Sequence, residues 1–267
     1  VSVSKIRFAC LTVAAALAVC GASAQAAFTG FQIRNNPTIN PIGANTEFVI
    51  QSAGQKAAYG SNDISGAKIG QITNLGITRF DDTTRFTAGS GPAVGPYLNI
   101  WVTDGTNFAV LANEPSNPDF QPLFIDNGNG TKSYSLDFAD LADKRVQVYE
   151  TSNGGFNSTN TWVHNLVGIN GPLTFGDLAN LTIGAPSPSY IAGGNGIGTG
   201  APRQDVTNIA YGVNWVFGDT LTNYVSGMQG YVVGDAVAQA VPEPTTVALA
   251  GLAGLGLLSA ARRRRNA

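Results

Sequence analysis

Ile209-Ala210-Tyr211-Gly212-Val213-Asn214-Trp215-Val216-Phe217 is the stretch on which the fold turns. Every second residue from Ile209 is large and apolar, while Asn208, Ala210, Gly212 and Asn214 between them are small or polar. A period of two belongs to a β-strand, whose successive side chains point to opposite faces. The stretch therefore predicts a strand with one buried face, and it places Trp215 in the core beside Val213 and Phe217. Ser133-Tyr134-Ser135-Leu136-Asp137-Phe138 carries the same alternation. Working outward, further strands are expected at 28–33, 47–51, 76–80, 97–103, 107–111, 145–150 and 178–183. Asp104-Gly105 joins two of them and signals a hairpin, because Asp and Gly tolerate the positive φ of a tight primed turn. One short helix is expected, at 138–144.

About ten strands broken by Gly, Asn and Pro predict two packed antiparallel sheets, since both faces and edges must be covered. The expectation is an all-β, jelly-roll-like antiparallel β-sandwich in one domain over residues 27–240. Two smaller β-domains divided at 153–159 are the alternative. Residues 193–202 are too glycine-rich to order themselves and read as an exposed loop. Phe175-Gly176-Asp177 and Phe217-Gly218-Asp219 echo each other and read as paired turns rather than as a repeat.

Charge and composition narrow the function. The chain has 15 Lys+Arg and 17 Asp+Glu, but Lys5, Arg7, Arg262, Arg263, Arg264 and Arg265 lie near its two ends, as does Glu243. Residues 27–240 are left with 9 basic and 16 acidic groups, a net of −7. An acidic body lacks the footprint that nucleic-acid binding requires, so nucleic acid is excluded as a partner. With 33 Gly in 267 residues and 22 Asn in residues 27–240, a turn-rich exported β-protein fits better than a helical enzyme.

Both ends read as handling signals. Lys5 and Arg7 precede an uncharged run over 8–20, followed by Gly21-Ala22-Ser23-Ala24-Gln25-Ala26. A basic start, a short apolar run and a small-x-small site make residues 1–26 a signal peptide cleaved after Ala24 or Ala26, with Ala26 preferred. A retained anchor is the alternative, against which the run is shorter than the ~20 residues a spanning helix needs. A lipoprotein is another, with Cys20 as the acylated residue and Val19 oversized for that motif. Cys10 and Cys20 are the only cysteines, so the mature body has none and must be held by its own core.

The far end reads Val241-Pro242-Glu243-Pro244, then 17 uncharged residues over 245–261, then Arg262-Arg263-Arg264-Arg265. As a helix, 245–261 would be ~26 Å long, enough to span a hydrocarbon core. The arginines would stay cytoplasmic and leave the body on the other side of the membrane. The prolines, without amide donors, hold the preceding peptide extended and accessible.

Motif 241–244, transmembrane helix 245–261 and basic tail 262–267 together resemble the PEP-CTERM sorting signal of proteins exported by Gram-negative bacteria. The resemblance implies an exosortase-type transpeptidase as partner and Pro242, Glu243 and Pro244 as its recognition residues. It also implies transient retention in the inner membrane by the helix and Arg262 to Arg265, and then delivery to the cell surface or extracellular matrix. Passages such as Tyr97 to Gly105 look similar to ectodomains carrying this tail, which supports the sandwich and assigns no activity.

No catalytic or metal chemistry is expected. His164 is the only histidine, its flanks Thr161-Trp162-Val163 and Asn165-Leu166-Val167 read as a strand, and no Gly-x-Ser-x-Gly elbow exists. Glu47, Glu114 and Glu150 are the only glutamates of residues 27–240. Asp81 and Asp82 are adjacent, so on a strand they would point to opposite faces. Asp126-Asn127-Gly128-Asn129-Gly130-Thr131 is oxygen-rich enough for calcium but departs from the EF-hand pattern and reads as a turn. Gly194 to Gly200 mimics a nucleotide loop without a following helix. The expectation is a non-enzyme without cofactors or resident metal, contributing to the polysaccharide layer around the cell. The alternative is a carbohydrate-binding, lectin-like or carbohydrate-active protein, and Trp101, Trp162 and Trp215 discriminate: buried rings fit the first, an exposed row the second.

Overall fold

The structure is a computed structural model, which describes residues 28–80, 96–113, 125–150, 162–192, 208–218 and 229–241. All of these belong to one compact unit, Ala26–Val241. They form an all-β fold of two antiparallel sheets with a few short helical turns. The strands are β1 (Thr29–Arg34), β2 (Thr38–Ile42), β3 (Asn45–Val49), β4 (Lys56–Ser61), β5 (Ile72–Arg79), β6 (Tyr97–Thr103) and β7 (Phe108–Ala112). They continue as β8 (Ile125–Asp126), β9 (Lys132–Leu136), β10 (Arg145–Glu150), β11 (Leu173–Thr174), β12 (Thr182–Ile183), β13 (Val213–Phe217) and β14 (Tyr231–Ala240). The eight-stranded sheet runs β1-β4-β13-β6-β7-β10-β11, with β12 on β6; the six-stranded sheet runs β2-β3-β14-β5-β9-β8.

Late strands complete both sheets. β13 inserts between β4 and β6, pairing Trp215 with Tyr59 on one side and with Leu98 on the other. β14 inserts between β3 and β5. Residues before and after 153–159 therefore share both sheets and one core. That core is aromatic across the sheet gap: the Tyr134 ring stacks on Trp215 at 5.3 Å and 6°, and Phe48 on Phe217 at 4.3 Å and 11°. Offset-stacked rings of this kind add to their burial energy. Burial pushes the Tyr134 hydroxyl above the usual tyrosine range, with Arg79 pulling in the other direction.

Several expectations are corrected. The strand of 209–217 starts only at Val213, and Ile209 is 40% exposed. Nor does β13 have a single buried face, because all five of its residues are buried. The eight-stranded sheet is covered on its outer face too: Ile191, Ala185 and Ala210 pack on Trp101, Val110, Ala112 and Tyr149. Residues 178–183 give only the two-residue β12; before it, Asp177 accepts from the Thr174 amide (2.8 Å) and hydroxyl (2.9 Å) and bends the chain into a turn.

The flanks of His164 form a helix, α2 (Trp162–Val167), rather than a strand, with Gly168 at φ +71 closing it through its amide to the His164 carbonyl. The helix expected at 138–144 is α1 (Phe138–Ala142). Its cap is reciprocal, Asp137 accepting from the Asp140 amide and Asp140 from the Asp137 amide. A third helical turn, α3 (Pro188–Ala192), a 3₁₀ turn (Ile69–Gln71) and the strands β2, β4, β8, β11 and β14 have no counterpart in the expectations.

The β6–β7 hairpin forms where Asp104-Gly105 placed it, but with four loop residues, since Thr103 pairs with Phe108. Only Gly105 adopts positive φ, at +97. Asp104 instead uses its carboxylate: Oδ1 accepts from the Asn107 amide (2.7 Å) and the Thr106 amide (2.9 Å), and Oδ2 from Asn107 Nδ2 (3.0 Å). The Asn107 amide and side chain hold this carboxyl below the usual aspartate range, against a small cost of burial. A folded-state pKa below the unfolded one gives stability that is present above the unfolded value and is lost as pH falls through the folded value. Asp104→Asn should therefore melt below the parent at pH 7, with the gap closing as pH falls below the ordinary aspartate value. Thermal melts of both chains across that range check it, and a pH-independent gap would show that the carboxylate charge plays no part.

Candidate functional site

The sorting residues Pro242, Glu243 and Pro244, the arginines Arg262, Arg263, Arg264 and Arg265, and the signal-cleavage residues Ala24 and Ala26 lie outside the described residues, as does the helix expected at 245–261. Among the described residues no helix is long and apolar enough to cross a membrane. What the structure supplies is the segment that carries the motif.

That segment is β14, and it is secured at both ends. At its start the Gly230 amide donates to Glu47 Oε1 (2.7 Å), while Glu47 Oε2 accepts from Asn40 Nδ2 (2.9 Å) on β2. A side chain at Gly230 would collide with the Phe48 carbonyl, so the close approach of β14 to β3 requires glycine there. Tyr231, Val233 and Ala238 enter the core. The buried Arg79 guanidinium sits 4.8 Å over the Tyr231 ring. A bulge interrupts the strand between Gly234 and Val237, with Asp235 at φ +50. At its end the Val241 amide donates to the Gln71 carbonyl (2.8 Å). The next residue, Pro242, has no amide with which to continue the ladder. The motif thus follows the last hydrogen bond of a strand inside the sheet without a spacer.

Sequence reasoning missed β14. Tyr-Val-Val-Gly-Asp-Ala-Val-Ala-Gln-Ala has no sustained alternation, because the bulge at Asp235 shifts the period by one residue. The Val232-Val233 pair was the available signal.

The other candidates are engaged structurally. His164 is buried with Nε2 3.0 Å from the Gly171 carbonyl. In 126–131 the oxygens serve the turn: Asp126 Oδ1 accepts from the Gly128 amide (2.9 Å), and Asn129 Oδ1 from the Thr131 amide (3.1 Å) and hydroxyl (2.6 Å). No group of three or more His, Cys, Asp or Glu placed to hold a metal occurs among the described residues. Asp81, Asp82, Glu114 and residues 193–202 lie outside them, as does the side chain of Glu150. Trp101 and Trp215 are fully buried, on the outer and inner faces of the eight-stranded sheet. Trp162 is half-buried, its Nε1 donating to the Phe108 carbonyl (3.3 Å).

The PEP-CTERM protein-sorting motif family matches residues 240–265. No curated protein and no solved structure matches the chain. The match begins on Ala240, the last residue of β14, so sorting signal and fold meet on that strand. The chain thus carries a PEP-CTERM protein-sorting motif over residues 240–265, and that signal implies an exported protein sorted with an exosortase as its processing partner.

Proposed function

We propose that this is a non-catalytic protein of the cell surface or extracellular matrix, anchored transiently in the inner membrane and then separated from its tail by an exosortase-type transpeptidase. The observation that carries the reading is the sorting motif at residues 240–265, joined directly to a strand inside the sandwich. A structural role for the body is supported by where its described polar groups are engaged. Glu47, Asp104, Asp126, Asp137, Asp140 and Asp177 each accept from a backbone amide. The carbohydrate-binding alternative needs rings exposed on a sheet face, and the described tryptophans, two fully buried and one half-buried, give it no support.

The test is Pro242→Ala with Glu243→Ala in the full chain, expressed in a host with its own sorting enzyme. Export should continue while an unprocessed, membrane-bound form accumulates, its intact mass higher by the tail. Unchanged tail removal in that variant would remove the basis of the proposal. A glycan array and a reducing-sugar assay on the exported protein test the role of the body, where tight glycan binding or sugar release would replace the non-catalytic reading.

A further inference from the structure

β14 is paired on both sides only along its first residues. Tyr231, Val232 and Val233 face Phe48, Glu47 and Thr46 of β3. β3 begins at Asn45, next to the turn at Gly43 (φ +62) that joins it to β2. The β2–β3 hairpin therefore stops beside Gly234 and leaves the rest of β14 overhanging. From Val237 to Ala240 the ladder continues only to β5, with Val237 opposite Gly76 and Ala240 opposite Ile72. The Val241 amide points to β5, since it bonds to Gln71; by the alternation of an antiparallel strand the Ala240 amide and carbonyl point away from β5. On that side no strand pairs with 236–241 among the described residues.

We propose that this open edge, residues 236–241, is a β-addition surface for an extended segment of the sorting transpeptidase, which reads it together with Pro242, Glu243 and Pro244 as one continuous peptide. The proposal rests on the sorting reading above and identifies more of the chain that the enzyme holds. Continuity is the first argument: the family match starts at Ala240, on the edge itself. Six residues of strand offer about 20 Å of backbone, a length that strand addition commonly uses. Side chains are the second argument, because Ala236, Val237, Ala238 and Ala240 are small and let another backbone approach.

The bulge at Asp235 precedes this stretch and Pro242 follows it, but between them it lacks the devices that blunt the outer edges of its sheet. Exposed edges are usually blunted by proline, charge or shortness. Pro41 lies in the outer strand β2, and β8 is two residues long. Residues 236–241 carry neither proline nor charge. A stretch with no strand beside it among the described residues, in a sheet whose outer edges are blocked, fits a place kept for a partner.

Two variants of the full chain test this in a host with the sorting enzyme. One inserts six Gly/Ser residues between Val241 and Pro242, separating the motif from the edge while leaving every described contact intact. The other is Ala240→Pro, which removes the outward amide and spares the Val241 bond. Each should slow tail removal about tenfold, followed by intact mass over time. Strand-dominated circular dichroism of the purified chains should be unchanged. Processing at the parental rate in either variant, while the Pro242→Ala, Glu243→Ala chain stays blocked, overturns the edge proposal. Normal processing of that blocked control would instead overturn the sorting reading. A dimer of the unprocessed chain that Ala240→Pro dissolves would make the occupant a second copy and likewise overturn the proposal.

Discussion

Trp215→Ala is expected to lower the stability of the body by about 3–5 kcal/mol, the cost of an aromatic deletion from a packed core. Trp215 is fully buried on β13, which both neighbouring strands fix in place, and its ring forms the stack with Tyr134 that joins the two sheets. Removing the ring leaves Tyr134 facing a void, and neighbours held in ladders on both sides cannot collapse far to fill it. Trp215→Phe should cost far less, within about 1.5 kcal/mol, because a ring remains. It also removes the indole Nε1, which has no hydrogen-bond partner. Urea unfolding of the three chains separates these effects. Equal midpoints for Trp215→Ala and the parent would show that the stack is not part of the load on the fold.

Removing β14 should have the larger effect. A chain ending at Gly230 loses the strand between β3 and β5, the core side chains Tyr231, Val233 and Ala238, and the ring beneath the buried Arg79. Losing these core side chains and separating the six-stranded sheet into two halves exceeds a total stability of about 5–15 kcal/mol, so no cooperative unfolding transition should remain. A chain ending at Val241 keeps every one of these contacts, including the amide bond to Gln71, and should melt cooperatively with strand-dominated circular dichroism. Calorimetry on the two truncations checks the pair. Cooperative melting of the shorter chain would mean that β14 is dispensable.

The same strand separates local from long-range information in this chain. Period two at Ser133 to Phe138 and at Ile209 to Phe217, and the turn chemistry at Asp104-Gly105 and Asp137, are local. Steric and hydrogen-bonding preferences act over a few residues, so an all-β sandwich, its hairpin and the short helix were legible. The sorting signal was legible for the same reason, its proline, apolar and arginine segments following one another within 26 residues. Pairing was not legible. That β13 is buried on both faces depends on Val216 packing with Phe31, Ile33, Ala58, Tyr97 and Tyr211 on the outer face of its sheet, and that Trp162 and His164 sit in a helix depends on the Phe108 carbonyl and a Gly168 cap.

β14 shows the limit most sharply. A bulge erases its alternation, and its place in the sheet is set by Glu47 reaching Gly230 and by partners on β3 and β5 that lie more than 150 residues earlier in the chain. Sequence by itself determined the class of the fold and the address carried at its end, because both are written in contiguous residues. Only the tertiary structure decided that the address follows a strand placed between β3 and β5, because strand order is fixed by which distant partners bury the most surface together.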